Sequence, residues 1–304
     1  MREVISNIIS RAAVPLFFLI SGYLLYAKET KLIPLLKKKS RTILLPYILW
    51  SLFGVLFLFI AQSLSFTAPY FANSLIRNYN LADWIGAFIG HFGRYPGSPM
   101  VYPLWFLRDL LILNVLFIAI KKVIDRFPFG TLALLLIFWT SDIKIYLVSP
   151  EALLFFALGY YAVKYSADHT ILDKIKLPNI TVIYLSTIVL ELYLTDRIEI
   201  IHKINIIIGS ILLLKLTKYF VEHKKIYNKL LYLDNYSFFV YAVHGLPLAA
   251  MTKLSVKVIP MHDAWLLLQY FAVNLGGIAL FLAIGIWTRK LFPKAYAVLT
   301  GGRA

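Results

Sequence analysis

The alternation of uncharged and basic runs at the start of the chain constrains its fold more than any other feature. Ala12–Ala27 carries no charged residue, Lys28–Arg41 holds six Lys or Arg against one Glu, and Ile43–Ser63 is uncharged again. A soluble core cannot bury a whole series of such runs, whereas the roughly 30 Å hydrocarbon layer of a bilayer buries one run per crossing. Composition agrees: 60% of the 304 residues are hydrophobic, 15% are charged, and mean hydropathy is +0.76. The formal net charge of +16 would suggest nucleic acid in a soluble protein. Here the cations stand in short runs beside apolar segments, where lipid headgroups and insertion rules account for them, so nucleic acid is excluded as a partner. The absence of cysteine excludes disulfides, thiolate chemistry and cysteine-type metal sites. The first apolar run has neither a Lys-rich leader nor a small-residue cleavage site and reads as a span.

Apolar runs with at most two charged residues predict about nine transmembrane helices, near 12–27, 43–63, 104–120, 128–141, 145–163, 180–194, 204–217, 236–254 and 264–287, in one all-α polytopic membrane domain spanning 1–304. The long connection 64–103, rich in aromatic residues, Pro and Gly, is expected to lie at the interface with a short helix near 82–92. Twenty-one of the thirty-one Lys and Arg fall in 28–41, 121–126, 164–176, 215–229 and 289–304, and nine in the alternate connections. The first set is therefore expected on the cytoplasmic side, which puts residue 304 inside. An outer start with nine spans asks for one more helix ahead of Met1, which would bring both ends inside.

Four segments carry a resemblance. Arg11–Leu25 (RAAVPLFFLISGYLL), Lys37–Tyr47 (KKKSRTILLPY), Tyr102–Leu110 (YPLWFLRDL) and Asn235–His244 (NYSFFVYAVH) follow one another in the order seen in the membrane acyltransferase 3 family. That family resembles this chain over nearly its whole length. Its members are bacterial inner-membrane enzymes that acylate sugars of surface polysaccharides and lipid-linked glycans. The family's first helix, which carries an Arg and then a His linked to acyl transfer, has no match here. The resemblance thus implies either a start that falls short of that helix or a relative without the usual base.

Each candidate residue has a functional and a plain reading. Lys37, Lys38, Lys39 and Arg41 could hold the phosphates of a cytoplasmic acyl-CoA donor, expected to carry acetyl, or serve only as a positive-inside anchor. In the family an R-x-x-R pair in this region is linked to donor handling. Lys38 and Arg41 occupy those positions, with the first Arg replaced by a Lys that lacks the bidentate fork. His244, at the end of the aromatic run Tyr236, Phe238, Phe239 and Tyr241, could move a proton for a sugar hydroxyl or make a helix-packing bond. His91, beside Arg94, is a second candidate base or a solvated loop residue. Arg108 and Asp109, just after Trp105, could shape an acceptor pocket or bond neighbouring helices. Arg11 raises the same alternatives, and with Trp105 and Tyr241 forms the candidate acceptor-binding set. Glu191 reads as interfacial, and His169, His202, His223 and His262 as loop or interface residues. Ser21–Gly22 reads as a close helix contact rather than a nucleophile. No H-x-x-H or H-E-x-x-H spacing occurs, so no catalytic metal is expected.

The expected activity is transfer of an acyl group from acyl-CoA to a sugar hydroxyl of a surface polysaccharide or lipid-linked glycan at the bacterial cytoplasmic membrane. The alternatives are a transporter or flippase of a lipid-linked or small anionic molecule, and a catalytically impaired relative. The bilayer, the donor and the glycan are the expected partners; oligomeric state is left open, a homo-oligomer included.

Overall fold

Every one of these apolar runs contains a helix in the computed structural model, which describes residues 9–28, 31–72, 75–141, 148–166, 171–194, 199–256 and 263–303. In chain order the α-helices are α1 (Ala13–Tyr26), α2 (Leu32–Lys39), α3 (Leu45–Ser63), α4 (Leu81–Ile89), α5 (Trp105–Arg126), α6 (Pro128–Thr140) and α7 (Pro150–Lys164). There follow α8 (Ile171–Lys174), α9 (Leu177–Tyr193), α10 (Glu199–Glu222), α11 (Lys224–Val243), α12 (Gly245–Ser255), α13 (Asp263–Leu291) and α14 (Pro293–Leu299). No strand occurs among the described residues. Among the described residues four helical stretches are long and apolar enough to cross a bilayer: Leu32–Ser63, Tyr102–Arg126, Glu199–Glu222 and Trp265–Leu291. Phe59, Val189, Leu275 and Trp287 are 61–70% exposed, whereas Asp109, Asn114, Asn205 and Ser210 are buried. Apolar side chains outward and polar ones inward is the pattern lipid selects and water forbids. The chain is a multi-pass, all-α membrane protein.

Several helices differ from the apolar windows. The basic run 28–41 was expected as a loop, but Leu32–Lys39 is helical and continues through a π-helical turn, Ser40–Leu44, into α3. Lys and Leu are good helix formers, so charge content does not end a helix. Pro46 has no N–H for the Thr42 carbonyl, and the ladder widens just before it, with Leu45 N–H reaching back to Ser40. The eighth run was expected as one span over 236–254. Instead α11 begins at Lys224, and the helix is interrupted at His244, because Pro247 cannot donate to the Val243 carbonyl.

The chain divides into two compact units. The first comprises 1–35 and 112–229. Within it α1 and α7 touch backbone to backbone: a Cβ on Gly22 would collide with the Phe156 carbonyl, and one on Gly159 would lie 2.5 Å from the Leu19 oxygen. This bears out Gly22 as a close-packing position. Tyr26 packs on Phe156 and Tyr160, and its hydroxyl donates to the Phe117 carbonyl at 2.8 Å. The second unit comprises 36–111 and 230–304. In it the long connection folds back onto α3: Leu58, Ile76, Ala87 and Met100 form one buried cluster, with Trp84 and Leu246 packed against it.

Candidate functional site

In the second unit, α4 is capped by Asn80, whose side chain accepts the Asp83 N–H while Asp83 accepts that of Asn80. The same carboxylate receives the Arg94 N–H at 3.0 Å and its Nε at 3.3 Å, closing the turn 90–97 onto the start of the helix. Burial pushes the Asp83 carboxyl up, but these amides and the Arg94 guanidinium outweigh it and hold it below the usual range. From the other side Arg108, in the first turn of α5, donates through Nη1 to the carbonyls of Ile89 at 2.7 Å and Gly97 at 3.0 Å. Its Nε donates to Asp109 at 2.9 Å, and Asp109 is 0% exposed. The pair thus bonds the turn to α5. Burial of a charge is tolerable where it is paired and its N–H groups find acceptors.

His91 sits in this turn with a left-handed backbone, φ 63°. Burial first, then the nearby Arg108 charge, hold its imidazole below the usual value; the Pro96 carbonyl and Asp109 pull the other way, less strongly. His91, Arg108 and Asp109 are therefore brought together, with the imidazole near a guanidinium.

Two tyrosines extend this polar patch. The Tyr47 hydroxyl, at the start of α3, donates to the Phe88 carbonyl, and Tyr241 on α11 donates to Pro103. The Tyr241 ring stands edge-on to Phe106, 6.0 Å between centroids, and Phe106 is edge-on to Trp105 at 6.4 Å. Tyr241 and Trp105 are thus neighbours of one ring. His244, at the helix interruption, has Nδ1 2.6 Å from the Tyr241 carbonyl. A carbonyl can only accept, so Nδ1 is the donor in this bond.

The basic segment belongs to the same unit. Lys37 and Lys38 are exposed in the last turn of α2, Lys39 is half-buried, and Arg41 is exposed in the π-helical turn. A fifth cation, which the sequence reading missed, joins them: Arg303 acts on Lys39 as a like charge, together with Lys38. The separation of 264 positions hides this meeting in the sequence.

Arg11 belongs to the first unit, in the 3-10 turn before α1, apart from Trp105 and Tyr241 in the chain's division. It lies within electrostatic reach of Glu151, which also feels His202 and Lys203 and is hydrogen-bonded by the Trp139 side chain. His202 is in the first turn of α10 and not in a loop; its Nδ1 is 2.8 Å from Glu191. Asn205, one turn on, bonds the same carboxylate. Glu191 is thus a helix-to-helix partner in addition to standing near the end of α9. The i, i+3 spacing of His202 and Asn205 was the available signal. His223 sits between α10 and α11 with Nδ1 2.7 Å from the Tyr219 carbonyl; His169 and His262 lie outside the described residues. Among the described residues no group of three or more His, Asp or Glu is arranged to hold a metal.

Fold and site define a multi-pass membrane protein with a basic helix end and a buried Arg108–Asp109 pair, and comparison with known proteins gives the class. Residues 2–290 match the acyltransferase domain family, and the chain belongs to that family. It is similar to the succinoglycan biosynthesis protein ExoH of Rhizobium meliloti (strain 1021), with 27% identity over 325 residues, covering all of this chain and 82% of the relative. No solved structure matches.

Proposed function

We propose that this protein transfers an acyl group, in the first instance acetyl, from acyl-CoA to a sugar hydroxyl of a cell-surface polysaccharide or lipid-linked glycan at the cytoplasmic membrane. Family membership supports acyl transfer, and the similarity to a succinoglycan biosynthesis protein supports a polysaccharide acceptor. The observation that carries the residue assignment is that Lys37–Arg41 and His244 belong to one compact unit, where His244 is bonded to the Tyr241 carbonyl. Lys38 and Arg41 hold the donor's phosphates by charge-assisted hydrogen bonds. His244 Nε2 takes the proton of the acceptor hydroxyl as its oxygen attacks the thioester carbonyl. The new C–O ester bond forms, the C–S bond breaks, and the leaving thiolate is protonated to the free thiol. Arg108 and Asp109 position the 89–97 turn, which carries His91 to the edge of the same patch. Trp105 and Tyr241, both in the second unit, are the groups proposed to face the acceptor.

The test is transfer of labelled acetyl from acetyl-CoA to isolated polysaccharide by purified protein in proteoliposomes. Wild-type protein should label the glycan, and K38Q/R41Q should raise the donor KM by tenfold or more, since each lost charge-assisted bond is worth about 1.5–3 kcal/mol. A donor KM unchanged in that double variant would remove Lys38 and Arg41 from donor handling. The interrupted helix at His244 favours one second reading, transport of a small anion or lipid-linked sugar, because unwound helices are where many transporters bind cargo. Substrate flux without acyl transfer in the same vesicles would decide for it.

A further inference from the structure

The segment after α14 ends in a built turn. Gly301 N–H bonds the Val298 carbonyl at 3.3 Å and Gly302 N–H bonds the Ala297 carbonyl at 2.7 Å, the paired bonds of a Schellman motif. Both glycines have left-handed backbones, φ 66° and 77°. A Cβ on Gly301 would strike the Thr42 carbonyl, so this backbone lies directly on the residue after Arg41. Trp50 Nε1 donates to the Leu299 carbonyl at 3.0 Å and Thr300 is fully buried, which pins the turn to α3. The turn delivers Arg303 with its guanidinium carbon 4.2 Å from the centre of the Phe238 ring.

This arrangement gathers like charges. Lys38 and Arg303 both repel Lys39, and the carboxylate acting on Arg303, Asp234, already accepts the Ser237 hydroxyl at 3.1 Å. A positive-inside anchor needs only a count of cations in one connection. It does not need cations from distant parts of the chain to converge. Convergence is favourable when an anion sits between them. A guanidinium held over an aromatic face can still offer its N–H groups to phosphate oxygens in pairs.

We propose that Arg303, propped on Phe238 by the Gly301–Gly302 turn, is the second arm of a phosphate clamp whose first arm is Lys39, and that the clamp grips a phosphate of the acyl donor's nucleotide carrier. The inference rests on the reading of Lys37–Arg41 as the donor anchor. It also supplies the bidentate fork that Lys38 lacks.

The experiment is calorimetric binding of coenzyme A to the purified full chain in neutral, phospholipid-free detergent, for wild type, R303A, R303K, K39A, R303A/K39A and K38Q/R41Q. R303A and K39A should each raise Kd about tenfold, and R303K should restore part of the loss, since an ammonium keeps charge without the fork. The double variant R303A/K39A should lose less than the product of the single effects, because both arms hold one group. R303K, retaining the cation on Phe238, guards against loss of folding, and matching thermal midpoints confirm it. Unchanged affinity in R303A and R303K, with K38Q/R41Q weakened, overturns the clamp and leaves the donor anchor standing. Unchanged affinity in every variant overturns the donor anchor with it. If R303A alters only the phosphatidylglycerol retained from the membrane and not coenzyme A binding, the site is a lipid headgroup site and the clamp is overturned.

Discussion

His91 combines three conditions that rarely coincide: a left-handed backbone, partial burial and a guanidinium neighbour. Its imidazole is held below the ordinary value of 6.5, so the unfolded chain takes up a proton before the folded protein does. Stability from this site is therefore full above that value, falls as pH drops through it, and levels once the folded group also titrates. Asn does not titrate and tolerates the left-handed region, so H91N should flatten the decline in thermal midpoint between about pH 7 and 5. Asp83, held below its usual range, contributes stability that is lost only as pH falls below about 4. H91N should leave that lower limb unchanged. An H91N midpoint that falls as steeply as wild type between pH 7 and 5 would exclude His91 as the source. His244 predicts a different signature: H244Q should lower kcat by about 10²–10⁴ while leaving the donor KM near wild type, measured by steady-state acetyl transfer. Both histidines could be singled out from their neighbours in sequence. The φ of His91 and the hydrogen bond of His244 could not, because each is set by a carbonyl or a turn whose position depends on the folded chain.

Helices were legible where lipid writes the rule and less so where side chains pack. An apolar run long enough to span a bilayer is visible to inspection, and each such run contains a helix. The ends were less visible, since Lys224 opens α11 and Lys121, Lys122 and Arg126 stay within α5 at little energetic penalty. Gly22 could be read as a contact residue from its Ser-Gly setting, but its counterpart Gly159 became identifiable only once α7 was seen against α1. That contact predicts a stability effect. A Cβ at 159 would lie 2.5 Å from the Leu19 oxygen and 2.8 Å from the Gly22 carbonyl carbon, so the two backbones must separate. G159A should lower unfolding stability by about 1–3 kcal/mol, measured as thermal or denaturant midpoint in detergent. Gly276, inside α13, has nothing within 4 Å of its would-be Cβ, and G276A should be neutral or slightly stabilising by helix propensity. Equal effects of the two substitutions would mean that α1 and α7 do not meet through their glycines.

For the molecule as a whole, the charge count and the fold make separate demands on the long connection 64–103. The cation count leads to the expectation that it lies opposite the basic segment, as an interfacial loop with a short helix near 82–92. The structure folds it back, so that Tyr47, three positions beyond the end of the π-helical turn, donates to a carbonyl of α4 while Arg108 holds the turn that follows. Sequence cannot report this, because the aromatic and Pro residues that suit an interface also suit a plug packed on α3. Whether the folded-back connection and the basic segment still open to opposite sides is accessible to experiment in a chain without cysteine. Ser40, exposed beside the basic cluster, and Leu81, 77% exposed at the start of α4, are suitable single labels. In intact cells a membrane-impermeant maleimide should modify L81C and spare S40C, with both labelled after the membrane is opened. Nineteen residues of α3 separate the two regions along the chain, enough for about 28 Å of helix. Labelling of S40C from outside would place the cation cluster where no cytoplasmic thioester can reach it. Donor handling at Lys38, Arg41 and Arg303 would then be excluded together, whatever the affinity of the isolated protein for coenzyme A.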